Sequence, residues 1–303
     1  MKKAAAFLIF ALCVPLTVSA QTTKVGKTGF AFLKIGVGGR SAALANANFA
    51  DVKGADASYW NPANLRDARN EVFFAHSEWL LDVKNDFVAA KFNGWGASWA
   101  FSLQMQNIGG IEQRTIATAE PIGELTARDV AIGLSYARAL NSQLDMGLTF
   151  KYIGSRILNY AANGLAVDFG AKYRLDGIAG LSLAASVHNL GSADEMLSEK
   201  INLPTLLRAG LAYEPLQNLQ NHRLKVFVGY EALFDAGSGF GARIEFVANQ
   251  LVALRAGYRF NEDSRHFSGG IGLERPGYQL DYAYTPFDYD LGETHNISLS
   301  VGL

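Results

Sequence analysis

Cysteine is nearly absent from this 303-residue chain: its one copy, Cys13, lies in an apolar stretch close to the start. Disulfides, thiolate nucleophiles and cysteine-ligated zinc or iron-sulfur centres are thereby excluded from the rest of the chain. Charge is scarce too, at 18% against the roughly 25% usual for soluble domains. Twenty-seven Lys plus Arg balance twenty-eight Asp plus Glu for a formal charge of -1. With no basic field to gather phosphates, nucleic acid is excluded as a partner. Beyond the first residues no run of about 18 consecutive apolar residues occurs, which excludes transmembrane helices. Prolines number only seven, whereas the thirty-one glycines exceed their roughly 7% average share.

What is there begins with an export signal. Lys2 and Lys3 precede an apolar run from Ala4 to Val14, and Val18-Ser19-Ala20 has the small-residue pattern of a cleavage site. Residues 1–20 are predicted to be removed near Ala20, leaving a mature chain that begins at Gln21 and carries no thiol.

From about residue 70 the chain alternates apolar and polar residues with a period of two, the mark of strands with one greasy face. Trp99, Phe101, Leu103 and Met105 alternate with Ser98, Ala100, Ser102 and Gln104; Leu144, Met146, Leu148 and Phe150 alternate with Asp145, Gly147 and Thr149. The pattern repeats to the final Ile297, Leu299 and Val301. A soluble β-sandwich would also alternate. Three features favour a membrane barrel: the export signal, strands of roughly 9 to 11 residues at near-continuous spacing, and a polar face of Gly, Ala, Ser and mixed charges. Tyr136, Tyr152, Tyr173, Tyr213, Tyr230, Tyr258 and Tyr284 stand at strand ends, where a barrel keeps its interfacial aromatics.

Counting segments predicts an all-β fold, a 14-stranded antiparallel transmembrane β-barrel over residues 70–303. The longest connections, 108–126 and 190–204, fall at the end read as extracellular. Asn141-Ser142, Asp176-Gly177 and Asn249-Gln250 fit tight periplasmic turns, whereas Pro215 to His222 is long for one. The polar face puts Asp145, Lys151, Asp168, Lys172, Arg208, Glu231, Arg243, Glu245, Arg255, Arg259 and Asp281 in the lumen. With both signs mixed, pairing across the interior is favoured over an ion-sorting ring.

Residues 21–69 stand outside the alternation and are predicted to form an N-terminal plug, or hatch, inside the barrel. Gly36, Gly38 and Gly39 superficially suggest a phosphate loop, but no strand precedes them and no GK[ST] follows. Ser41 to Asn48 is Ala-rich and predicts a short helix, with Asn61-Pro62 imposing an extended or turn conformation beyond it.

The motifs Gly38-Gly39-Arg40-Ser41-Ala42-Ala43, Tyr59-Trp60-Asn61-Pro62-Ala63, Ala75-His76-Ser77-Glu78-Trp79 and Asp281-Tyr282-Ala283-Tyr284-Thr285-Pro286-Phe287 resemble the PorV/PorQ family over essentially the whole mature chain. That family is similar in turn to FadL-type transporters, which share a fourteen-stranded barrel, a hatch and the Asn-Pro-Ala motif. The resemblance implies a bacterial outer-membrane protein working in type IX secretion, binding the C-terminal domains of secreted cargo and passing them to translocon or attachment proteins. Leu197, Ile201 and Leu203 would supply loop contacts to such partners. It marks Gly38, Gly39, Arg40, Asn61, Pro62 and Ala63 as the hatch motif and Asp281, Tyr282, Tyr284, Pro286 and Phe287 as the C-terminal motif.

The alternative is transport of a hydrophobic small molecule, with Phe49, Trp60 and Phe227 as candidates to line a lumen path. Catalysis is the third class. Ser186 and His188 share a strand face, but the sequence shows no acidic orienter beside them. His76, His188, His222, His266 and His295 fall on different elements, giving no metal or triad constellation. No enzyme activity and no cofactor is read, and the expected surroundings are outer-membrane lipid.

Overall fold

The computed structural model describes residues 28–67, 69–114, 120–196, 199–219, 221–234 and 237–303. The export signal with its Cys13, and Leu197, lie outside the described residues. Fourteen antiparallel strands close into one barrel: β1 (Glu71–Glu78), β2 (Val83–Gly94), β3 (Ala97–Gln113), β4 (Gly123–Ala139), β5 (Leu144–Ile157), β6 (Tyr160–Arg174), β7 (Leu181–Ala193), β10 (Leu206–Leu219), β11 (His222–Leu233), β12 (Gly237–Ala248), β13 (Val252–Phe260), β14 (Phe267–Arg275), β15 (Tyr278–Pro286) and β16 (Glu293–Gly302). β1 pairs with β16 to close the ring, so the barrel itself has no open edge. A separate hairpin, β8 (Glu195–Met196) with β9 (Glu199–Lys200), stands between β7 and β10.

The alternation puts apolar side chains outside. Phe101, Leu134, Phe150, Leu165, Phe169, Leu254, Ile271 and Ile297 are exposed on the outer wall, while Lys91, Asp145, Asp168, Arg208, Glu245, Arg255 and Asp281 are buried within. A soluble protein does the reverse, so this surface is built for hydrocarbon. At one rim Phe92, Trp95, Trp99 and Tyr136 form a chain of edge-to-face rings, and at the other Tyr258, Tyr282 and Tyr284 are exposed.

The β2–β3 and β12–β13 connections at the Trp95 end are tight. Trp95-Gly96 and Asn249-Gln250 each have two consecutive positive-φ residues (53° and 73°; 51° and 54°), the primed turn that matches strand twist. The segment 108–126, expected as a loop, is largely strand: β3 and β4 pair out to Gln113 and Gly123, with a register shift between Ile108 and Ile111. The long connection at 215–222 likewise shortens, because β10 continues to Leu219 through two register shifts against β11.

The segment Phe30 to Arg66 packs against inward-facing residues of the strands. It contributes short helical pieces at Ala31–Lys34, Gly39–Ala43, Ala57–Trp60 and Pro62–Asp67. The helix expected over Ser41 to Asn48 instead occupies Gly39–Ala43, because Ala45 and Asn46 take positive φ (47° and 57°) and turn the chain away.

Candidate functional site

Inside the ring the wall is shaped by missing side chains. Gly147 and Gly170 are direct partners on β5 and β6. A Cβ on Gly147 would stand 2.3 Å from the Pro62 carbonyl carbon, and one on Gly170 would stand 2.0 Å from Asn61 Oδ1. Asn61 Nδ2 donates to the Ala171 carbonyl (3.3 Å) and Asn61 Oδ1 accepts from the Ala63 N–H (3.1 Å). Asn61, Pro62 and Ala63 thus form one turn docked on a bare patch of wall. A second patch, Gly210 paired with Gly229 on β10 and β11, receives the Phe49 ring.

Gly38 and Gly39 meet the opposite wall. Gly38 has φ +88, and a Cβ there would stand 2.9 Å from Phe73 Cζ; one on Gly39 would stand 2.7 Å from the Asp281 carbonyl oxygen. The Gly39 N–H donates to Ser298 Oγ at 2.9 Å. Arg40 then donates to both carboxylate oxygens of Glu245 (2.8 and 3.0 Å), Arg255 donates to Glu245 (2.6 Å), and Arg255 also donates to Asp281 (2.7 Å). Two motifs far apart in sequence, at 38–40 and 281, therefore share one ionic chain across the lumen.

Other charges pair likewise. Asp51 accepts from Lys225 at 2.5 Å, and Lys151 bonds Asp168 at 2.6 Å. Arg208 bonds Glu231 at 2.7 Å while its guanidinium lies over the Trp60 ring at 4.7 Å. Burial works to raise the Asp51 pKa, but Lys225, Lys53 and Arg40 outweigh it and hold the carboxyl at about 2. Asp56 goes the other way: burial, reinforced by Glu71, pushes it well above the usual carboxylate range.

Above the lumen segment lies a cavity of about 530 Å³ at the barrel end bearing the β1–β2, β11–β12 and β15–β16 turns. Ala31, Phe32, Ile35 and Ala47 form its floor. Trp79 and Phe287 give it an aromatic side, and Arg243, Arg259 and Arg265 line it as well; Phe240 and Phe260 border its rim but stack on each other on the outward face of β12 and β13. Trp79 meets Phe287 edge-to-face at 5.7 Å, with the Arg265 guanidinium over both rings at 5.6 and 5.7 Å. Arg243 donates to the Leu44 carbonyl (2.9 Å) and the Ala45 carbonyl (3.3 Å), while its Nη1 is buried with no protein partner. Arg265 stands beyond the strands; burial and Arg259 lower its pKa to about 10.

The candidate path residues are placed elsewhere. Phe49 lies on its glycine patch, Trp60 donates from Nε1 to the Val37 carbonyl (3.0 Å), and Phe227 packs against Leu44, Ala50, Ala184 and Ala212. All three are buried in contacts between lumen segment and wall, and none lines the cavity. Of the C-terminal motif, Asp281 points inward, Tyr282 and Tyr284 are exposed on the outer wall, Pro286 ends β15, and Phe287 reaches the cavity. Ile201 and Leu203 pack on Phe30, Phe32 and Leu33, where Gly29 also donates to the Asn202 carbonyl at 3.1 Å.

One correction concerns the acid absent beside Ser186 and His188. Asp168 Oδ2 lies 3.1 Å from His188 Nδ1, and His188 Nε2 lies 2.8 Å from Ser186 Oγ. Sequence reasoning missed it because β7 bulges: Val167 pairs with Leu190 but Phe169 with Val187, which brings His188 and Asn189 opposite Asp168. The order is that of a triad, but Ser186 is buried 3.5 Å from the Trp60 carbonyl, and no part of the cavity reaches it. Among the described residues no group of His, Asp and Glu has the arrangement of a metal site.

The fold defines a membrane-type β-barrel with an N-terminal segment packed against inward-facing residues of its wall. No family model and no curated protein matches the sequence. Solved structures do share the fold. The CymD monoaromatic hydrocarbon channel superposes with TM-score 0.61 at 12% identity, covering 88% of this chain and 98% of that one. The Pseudomonas putida toluene transporter TodX gives 0.59 at 12% over 88% and 97%. A Pseudomonas aeruginosa FadL homologue gives 0.54 at 10% over 88% and 98%. The architecture is thus FadL-like.

Proposed function

We propose that the protein carries small hydrophobic solutes across the bacterial outer membrane, with the N-terminal segment acting as a hatch. The observation that carries this reading is the cavity: a concave space with an aromatic side, opening at one end of the barrel and floored by the lumen segment itself. Trp79 and Phe287 receive the apolar body of the solute. Arg243, whose Nη1 is buried with no protein partner, offers a polar or acidic end a donor in that wall. Passage requires the floor at Phe32 and Ile35 to move, and the Arg40–Glu245 and Asp51–Lys225 contacts hold it closed. The FadL-like fold, shared with two hydrocarbon carriers, supports the same reading.

The test is uptake of radiolabelled toluene and of medium-chain fatty acid by cells lacking this gene, complemented with wild type or with Trp79→Ala/Phe287→Ala. Gene-dependent, saturable uptake that the double variant abolishes supports transport. Unchanged uptake, together with periplasmic retention of normally secreted proteins, would overturn it in favour of the secretion role implied by the PorV/PorQ resemblance.

A further inference from the structure

On the outer wall, four polar residues occupy one continuous row across neighbouring strands. Lys84 on β2 pairs directly with Asn107 on β3, Asn107 with Arg128 on β4, and Arg128 with Arg156 on β5. All four are exposed and lie on the face that lower down carries Phe101, Met105, Ile132, Leu134, Phe150 and Tyr152. The next outward positions toward the bilayer are Met105, Val130 and Gly154, so the row stands where the apolar belt ends on the side of the cavity mouth.

The Arg128–Arg156 rung is the unusual part. Directly opposed residues on antiparallel strands hold their Cβ atoms about 4.5–5.5 Å apart, and like charges so placed repel. The flanking rung positions carry Asn107 and Ala161, so neither supplies a carboxylate. Glu78 faces Lys84 at the far end of the row, and Asp86, one outward position lower, is engaged by His76 at 2.7 Å. Arg156 Nε donates to the Leu158 carbonyl at 3.3 Å, which leaves its terminal amino groups, and two arginines on one rung match the several oxygens of one phosphate.

We propose that Arg128 and Arg156, with Asn107 as an amide donor and Lys84 at the edge, form a site for the phosphate of a lipid headgroup, the lipid's acyl chains lying on the belt below. Continuity with that belt points to a lipid rather than to a free anion. A phosphate there converts the repulsive rung into a bridged one, and it fixes the height of the barrel on its β2–β5 side. The inference rests on membrane residence and not on transport.

The experiment is native mass spectrometry of the detergent-purified full-length protein with phosphatidic acid, with phosphatidylcholine of the same chains, and with inorganic phosphate as competitor. Wild type is expected to retain phosphatidic acid in preference to phosphatidylcholine. Arg128→Ala and Arg156→Ala should each weaken that retention about tenfold, and Arg138→Ala, at the other end of β4, should leave it unchanged. Heat-modifiable gel mobility checks that each variant barrel is closed. Equal retention by wild type and the folded double variant would overturn the site. Complete displacement by inorganic phosphate would overturn the lipid as its occupant. Failure to retain either lipid would instead count against membrane residence, so the two failures are distinguishable.

Discussion

Gly147 and Gly170 face each other across the β5–β6 rung, and the backbone of Asn61, Pro62 and Ala63 occupies the space their side chains would fill. The lumen segment is seated by what the wall lacks as much as by what it carries. Glycine in a strand weakens it by about 0.5–1 kcal/mol relative to alanine, and the offset here is close backbone approach.

Gly147→Val and Gly170→Val should therefore destabilise the docked segment while leaving the barrel closed. Overpacking of this kind costs roughly 1–3 kcal/mol. Limited proteolysis should find the segment 30–66 cleaved faster, and planar-bilayer recordings should show larger conductance than wild type. Unchanged conductance and proteolysis would refute the seating role.

Breaking the ionic contacts from one side should act more strongly. Arg40→Met leaves Glu245 with Arg255 alone, and Lys225→Met deprives Asp51 of its closest cation. Loss of one partner from a buried pair costs roughly 3–5 kcal/mol. A fall in the melting temperature of the purified protein, with increased conductance, is the expected outcome for each.

Acid and base should act oppositely on two carboxyls of the lumen segment. The folded-state pKa of Asp51 is depressed to about 2, so its contribution is present above the ordinary 3.8 and is lost as pH falls toward 2. Asp51→Asn should cost about 2 kcal/mol at pH 7 and little near pH 2. Asp56 is raised, so its folded form favours the proton: the benefit is full below 3.8 and is lost as pH rises through its elevated value. Asp56→Asn should raise the melting temperature at pH 7 and leave it unchanged near pH 3.

In the cavity, Arg243→Leu should separate the two parts of recognition. Uptake of a fatty acid should fall about tenfold, while uptake of toluene should not fall. Equal loss of both would show that Arg243 supports the wall rather than the solute.

The buried Ser186–His188–Asp168 chain should behave as structure. Ser186→Ala should cost on the order of 1 kcal/mol in stability. Activity on p-nitrophenyl esters should match that of detergent alone in both proteins. Ester hydrolysis abolished by that variant would overturn this view.

The period-two pattern alone was enough to count fourteen strands and to assign their greasy faces, because successive side chains on a strand point to opposite sides whatever the surroundings. Phe101, Leu134 and Ile271 on the outside and Arg208, Glu245 and Asp281 within were all readable in this way. Strand ends were less legible at 108–126, where β3 and β4 continue past a bulge that carries no period of its own. The motif Gly38-Gly39-Arg40 could be singled out, but its contact with Asp281 and Glu245 could not, since nothing local encodes which strands close a ring around which segment.

Local chemistry in the sequence thus determined the wall: its strands, its two faces and its tight turn at Asn249-Gln250. The tertiary structure decided the interior. Which glycines are bare patches for Asn61, Pro62 and Phe49, which acid meets His188, and which aromatics line the cavity all follow from barrel closure and register. Those place residues more than a hundred positions apart within bonding distance, as Asn61 is with the Ala171 carbonyl, and a one-residue slip would turn every one of them to the other face.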